Sequence, residues 1–189
     1  MTRLYLIRHG RPDAVWGGHD RDPGLDAEGE AQAEFAARTL LCLPPDARPS
    51  RVASSPMRRC LETARPFADA LGVEVEIVPD VGEIPTPATL EPSARGPWLR
   101  QALQGPWSAV RGDLDYEVWR RSVLAAVEAR AGTAIFSHFV AINAVVSLLE
   151  DDEAVTVFRP GHASITTLDW GSNGLRLISR GAESATGVL

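Results

Sequence analysis

Arg8, His9 and Gly10 follow directly on the apolar run at residues 4–7, and Arg11 comes next. Arg8 and, further along the chain, Arg58 offer planar, permanently charged forks suited to bidentate capture of a phosphoryl group. Positive charge nearby disfavours imidazolium, so it lowers the pKa of His9 and keeps one ring nitrogen unprotonated and nucleophilic at neutral pH. The other nitrogen needs an acceptor to fix the tautomer, and a backbone carbonyl in the Gly10 turn is the nearest candidate. Gly10 itself permits a backbone conformation and a close approach that a side chain would block. Two more segments carry suspicious residues: Ser54-Ser55-Pro56 leading to Arg58, and Ser137-His138.

Chemistry of that kind needs a scaffold that brings three distant segments to one place. Residues 3–7 read as a buried strand and 10–24 as a loop. Asp26 can cap a helix over 27–41 whose inner face carries Ala33, Ala37, Leu40 and Leu41. Residues 51–54 form a second strand, and Ser55-Pro56 has the pattern of an N-cap followed by proline at the first helical position. Leu61, Ala64 and Ala68 continue an inner face, with Pro66 expected to kink or end that helix early. A third strand covers 73–78. The Pro- and Gly-rich stretch 79–112, in which Trp98-Leu99 is a short apolar cluster, reads as an irregular lid or specificity segment. A helix follows over 114–130 with Trp119, Val123, Ala126 and Val127 on one stripe, then a strand over 133–136 and a hydrophobic helix over 140–149. Two strands, 164–170 and 175–179, are joined by a turn, and the tail 181–189 is expected to fray.

Strands alternating with helices imply an α/β fold, a three-layer α/β/α sandwich with a mostly parallel central sheet whose last strands are free to pair antiparallel. Ligands of such sheets bind beyond the carboxyl ends of the strands. Arg8-His9-Gly10, the segment 54–58 and His138 all follow strands, so they converge on that edge.

Composition narrows the chemistry. A chain of 189 residues with 44% apolar residues is expected to form one domain. The net charge of −6 argues against binding nucleic acid through a basic surface. All 19 basic residues are Arg, so no Schiff-base lysine and no Walker-type phosphate lysine is available. No membrane span or secretory signal is read, and Cys42 and Cys60, among helix-like apolar neighbours, read as buried reduced thiols; a cytoplasmic protein is expected.

The ordered motifs resemble those of the histidine phosphatase superfamily, the phosphoglycerate mutase-like enzymes. Arg8-His9-Gly10 is similar to the family signature. Asp22-Pro23, Leu25, Gly29 and Gln32-Ala33 look like its second block, and Ser54-Ser55-Pro56 with Arg58 and Thr63-Ala64 like its third. Ser137-His138 and Ala163-Ser164-Ile165 look like the fourth and fifth. The resemblance implies that His9 accepts the phosphoryl group, that Arg8, Arg58 and His138 form the phosphate pocket, and that Glu83 is the proton donor. Asp80 and Glu91 are the alternatives for that acid. The chain departs from the family pattern at Arg11-Pro12 and at Phe139-Val140, the latter implying a narrower, more apolar pocket floor.

The reading that follows is a metal-independent phosphomonoesterase acting on a small phosphorylated metabolite through a phosphohistidine, without a cofactor. Its partner is that phosphomonoester substrate, not nucleic acid or a membrane, and a homodimer is allowed. Mutase-type phosphoryl transfer and a non-catalytic phospho-ligand module are the rivals. Arg11 has two readings, a contact to a second acidic group on the substrate or an exposed salt bridge. Arg59 is read as pointing to solvent or an acidic partner, His162 as structural, and His19 with Asp20 and Asp22 as loop decoration rather than a metal site.

Overall fold

Along the first strand the side chains alternate between two apolar layers. Leu4 and Leu6 join one buried cluster, Tyr5 and Ile7 the other, as the two-residue period of a strand covered on both faces requires. The computed structural model describes residues 2–13, 20 and 22–184. Its strands are β1 (Thr2–Arg8), β2 (Arg51–Ser54), β3 (Val75–Ile77), β4 (Thr133–Ser137), β5 (Ile165–Gly171) and β6 (Gly174–Ser179). They form one sheet in the order β3-β2-β4-β1-β5-β6. The first four are mutually parallel; β5 runs antiparallel to β1, and β6 antiparallel to β5.

Helices α1 (Ala27–Leu41) and α2 (Arg58–Leu71) cover one face, packing Ala36, Ala37, Leu40, Ala64 and Phe67 against Tyr5, Ile7, Val52 and Phe136. The other face carries α3 (Pro92–Leu103), α4 (Tyr116–Glu128) and α5 (Phe139–Leu149), whose Leu99, Val123, Val127 and Ile142 meet Leu4, Leu6, Ala53 and Ile135. Asp26 caps α1 as expected, its side chain accepting from the Gly29 N–H at 2.8 Å.

Several local expectations are corrected. The helix after β2 starts at Arg58 with Met57 as N-cap, because the Ser55 hydroxyl is turned into the protein towards His138. Pro66 does not end α2, which continues to Leu71. An interior proline costs roughly 3 kcal/mol, and burial of Phe67 together with Ala64 and Ala68 in the α1–α2 layer offsets it, a phenylalanine alone supplying about 1.5–3 kcal/mol. Segment 79–112 contains the helix α3, which buries Leu99 and Ala102 and packs Trp98 and Leu103 at helical spacing despite Pro97. Cys42 is exposed, not buried, and both cysteines are free. The start of the tail is tied down: Gly161 N–H donates to Ala182 O, and Ser184 N–H to Arg159 O. Residues 185–189 lie outside the described residues. Among the described residues no helix is long and apolar enough to cross a membrane.

Candidate active site

The site grows from the carboxyl end of β1. Arg8 closes the strand with its guanidinium buried, Nη1 donating to Pro160 O at 2.9 Å and Cζ standing 5.4 Å from the centre of the Phe139 ring. His9 comes next, also buried, and its Nδ1–H donates to Gly10 O at 2.8 Å. That bond selects the tautomer whose Nε2 is unprotonated. The turn is clamped from two sides. Gly10 N–H donates to Thr63 Oγ1 at 2.9 Å while the Thr63 hydroxyl donates to Arg59 O at 2.6 Å, so α2 holds the turn after His9. On the other side, a Cβ on Gly10 would stand 2.6 Å from Gly29 O. Gly10 is not at positive φ, so close approach alone calls for glycine here.

Arg59 and His138 form the second half. The Arg59 Nη2 donates to His138 Nδ1 at 3.1 Å, so that nitrogen is an acceptor and His138 Nε2–H donates to Ser55 Oγ at 2.8 Å. His138 is thereby held as a neutral ring, its centre 5.3 Å from that of His9. The electrostatics agree. Burial first, then His138, Arg59 and Arg8, push His9 well below the ordinary histidine value. Burial, Arg59 and Arg8 do the same to His138. Burial also brings Arg8 down to about 10, which leaves it charged at neutral pH. Beneath His138 the Cys60 Sγ lies 3.4 Å from Nε2, its thiol pushed up by burial.

Glu83 reaches the same edge from the loop after β3. Its Oε1 accepts from Ile84 N–H at 2.9 Å and from Val140 N–H, at the start of α5, at 3.2 Å. Burial raises its carboxyl pKa in spite of these bonds and of Arg59 and Arg8. A charged fork pair, an unprotonated imidazole nitrogen and a carboxyl that resists ionisation are a set of groups able to receive and stabilise a phosphoryl group and protonate its leaving group.

The family model of the histidine phosphatase superfamily (branch 1) matches residues 4–182. The chain belongs to that family. A curated relative, the transcription factor tau 55 kDa subunit of Saccharomyces cerevisiae, is 35% identical over 110 residues, covering 48% of this chain and 25% of that protein. This chain therefore matches only about a quarter of that relative's length. Among solved structures, phosphoserine phosphatase of Entamoeba histolytica in complex with 3-phosphoglyceric acid superposes with a TM-score of 0.76 at 23% identity, covering 96% of this chain and 98% of the other. A mycobacterial glucosyl-3-phosphoglycerate phosphatase gives 0.70 at 22% identity, covering 97% and 100%. At these identities the likeness is one of fold.

Within this histidine phosphatase the structure brings Arg8, His9, Gly10, Glu83 and His138 together and leaves Arg58 out. The Arg58 side chain is 64% exposed and pairs with Glu62 at 2.7 Å, while its backbone N–H donates to Asp22 Oδ1. Arg59, expected to face solvent, is 7% exposed and lies against His138. Helix geometry accounts for the exchange, since neighbours on a helix diverge by about 100°. A signal was present in the sequence: Arg58 has Glu62 four residues on, whereas Arg59 has Thr63 and then Phe67 on the buried face. Arg11 takes the salt-bridge reading, ion-paired with Asp26 and Glu28 at the surface. Asp80 and Glu91 are exposed. Asp22 N–H donates to Asp20 Oδ1 and Asp22 Oδ1 accepts from Arg58 N–H, and His19 lies outside the described residues. Phe139 and Val140 are buried beside the site, in line with an apolar floor. His162, expected to be structural, has its ring centre 5.8 Å from that of His9. The overlooked signal was its place just before a strand free to run antiparallel, whose first residue reaches the same sheet edge.

Proposed function

We infer that this chain is a metal-independent phosphomonoesterase of small phosphorylated metabolites, working in the cytoplasm through a phosphohistidine at His9, with Arg59 taking the place expected for Arg58. The observation that carries the reading is the 2.8 Å bond from His9 Nδ1–H to Gly10 O, which leaves Nε2 as the free lone pair of a ring whose charged and polar neighbours are Arg8, Arg59 and His138. Nε2 attacks phosphorus, the ester P–O bond breaks, and the Glu83 carboxyl gives its proton to the departing alkoxide. Water then attacks the phosphorus of the N–P adduct, the Glu83 carboxylate takes its proton, and inorganic phosphate leaves with His9 restored. Arg8 and Arg59 balance the charge of the transferring group throughout. The names of the structural neighbours, phosphatases of phosphoserine and of glucosyl-3-phosphoglycerate, support a phosphorylated metabolite as substrate.

The test is turnover of nitrophenyl phosphate and of a metabolite panel, in the presence of a chelator, by wild type and His9→Ala. Wild type is expected to release inorganic phosphate and, on quenching during turnover, to yield an acid-labile, alkali-stable phosphoryl adduct that His9→Ala lacks. An isomerised product without phosphate release would turn the reading to a mutase, and substantial turnover by His9→Ala would remove it.

A further inference from the structure

The sheet presents its site groups in spatial order. Ser55 follows β2, His138 follows β4, and His9 follows β1. On the far side of β1 lies β5, antiparallel, with Ile165 opposite Ile7. The chain entering β5 therefore arrives at the same edge from the opposite flank of His9. That chain, residues 157–164, is held at nearly every step. Val157 and Phe158 N–H groups donate to Asn143 Oδ1, Arg159 N–H to Glu183 Oε2, and Gly161 N–H to Ala182 O. Pro160 O receives the Arg8 guanidinium, Ser164 O the Arg8 N–H, and His9 O accepts from Ala163 N–H. Ala163 adopts a left-handed φ of 53°, an unfavourable conformation for a residue with a Cβ.

The half-buried side chain at the centre of this wall is His162, whose ring lies 5.8 Å from that of His9. Among the described residues nothing hydrogen-bonds its ring nitrogens. We propose that His162 is a substrate-contacting residue, donating a ring N–H to a non-bridging oxygen of the phosphoryl group held at His9. The proposal rests on the phosphatase reading. His138 and Arg59 stand on one side of the phosphoryl position and His162 on the other, so the group is held from both flanks. Burial, Arg8 and Arg11 bring His162 down to about 4, so at neutral pH it is an uncharged donor. Glu83 follows β3 at the far edge of the sheet, on the opposite flank of His9 from His162. His162 therefore serves the transferring group and not the leaving group.

The experiment compares wild type with His162→Ala, His162→Phe and His162→Gln. Phe keeps a ring against His9 and lacks a donor; Gln keeps an N–H donor. The readouts are inorganic phosphate affinity by calorimetry, kcat and KM on nitrophenyl and alkyl phosphates, and thermal unfolding. Phosphate binding is expected to weaken roughly ten- to a hundredfold in the Ala and Phe variants and to recover in Gln, as for loss of one hydrogen bond to a charged group. The loss in kcat/KM should be equal for the two leaving groups. Wild-type phosphate affinity in a folded His162→Phe overturns the proposal, as does a loss confined to alkyl phosphates. Failure of wild type to bind phosphate or hydrolyse either ester is the different result, which removes the phosphatase reading and this one with it.

Discussion

Arg59 donates to His138 at 3.1 Å, from a side chain adjacent in sequence to an arginine that points into solvent. One residue along α2, a rotation of about 100°, thus separates a buried cation from a surface one. Arg59→Ala is expected to lower kcat/KM about 10²–10³-fold on every phosphomonoester, as for loss of one preorganised donor at a developing charge. Arg58→Ala should leave kcat/KM close to wild type, since its partner is an exposed i,i+4 glutamate. Steady-state kinetics on the two variants decide the assignment.

Glu83 yields a leaving-group prediction. An alkoxide needs a proton in the transition state, whereas nitrophenolate departs readily without one. Glu83→Gln should slow hydrolysis of an alkyl phosphate far more than that of nitrophenyl phosphate. Equal losses would make Glu83 a positioning residue.

The same carboxyl has a stability signature. Its pKa is raised by burial, so at neutral pH the folded state bears an ionisation cost that the unfolded chain does not. Below the unfolded value of about 4.3 both states are protonated and the cost vanishes. The gain in Tm of Glu83→Gln over wild type should therefore be larger at pH 7 than at pH 4, measured by thermal melts.

The histidines act with the opposite sign. His162 is held at about 4, and His9 and His138 lie well below the ordinary value. Between about 6.5 and 4 the unfolded chain binds more protons than the folded one, so stability present above 6.5 is lost on acidification. Tm should fall across that window, and His162→Gln should flatten the fall.

Close approach at the turn after His9 is equally testable. A Cβ on Gly29 would meet Arg11 backbone atoms, N at 2.9 Å and C at 3.0 Å. Because those atoms are backbone and cannot swing away, Gly29→Ala should destabilise by about 1–3 kcal/mol, with reduced kcat as the turn carrying His9 shifts. Chemical denaturation and turnover on one preparation would read both.

Much of this was legible in the residues themselves. Alternation in residues 4–7, the Asp26 cap and the β/α succession prescribe a covered parallel sheet, and strand ends place Arg8, His9 and His138 on one edge, because strand and helix periods are local properties of the chain. The Gly10 carbonyl as the tautomer-fixing acceptor is local in the same sense, being the backbone of the next residue. The helix hidden in residues 92–103 was masked by Pro97, since the apolar surface that stabilises it belongs to distant segments. Tertiary structure settled the rest. Which of Arg58 and Arg59 faces the pocket depends on how α2 is rotated against the sheet, and that rotation is set by burying Cys60, Thr63 and Phe67. His162 reaches His9 only because β5 pairs antiparallel to β1, and strand direction is decided by partner strands far away in sequence.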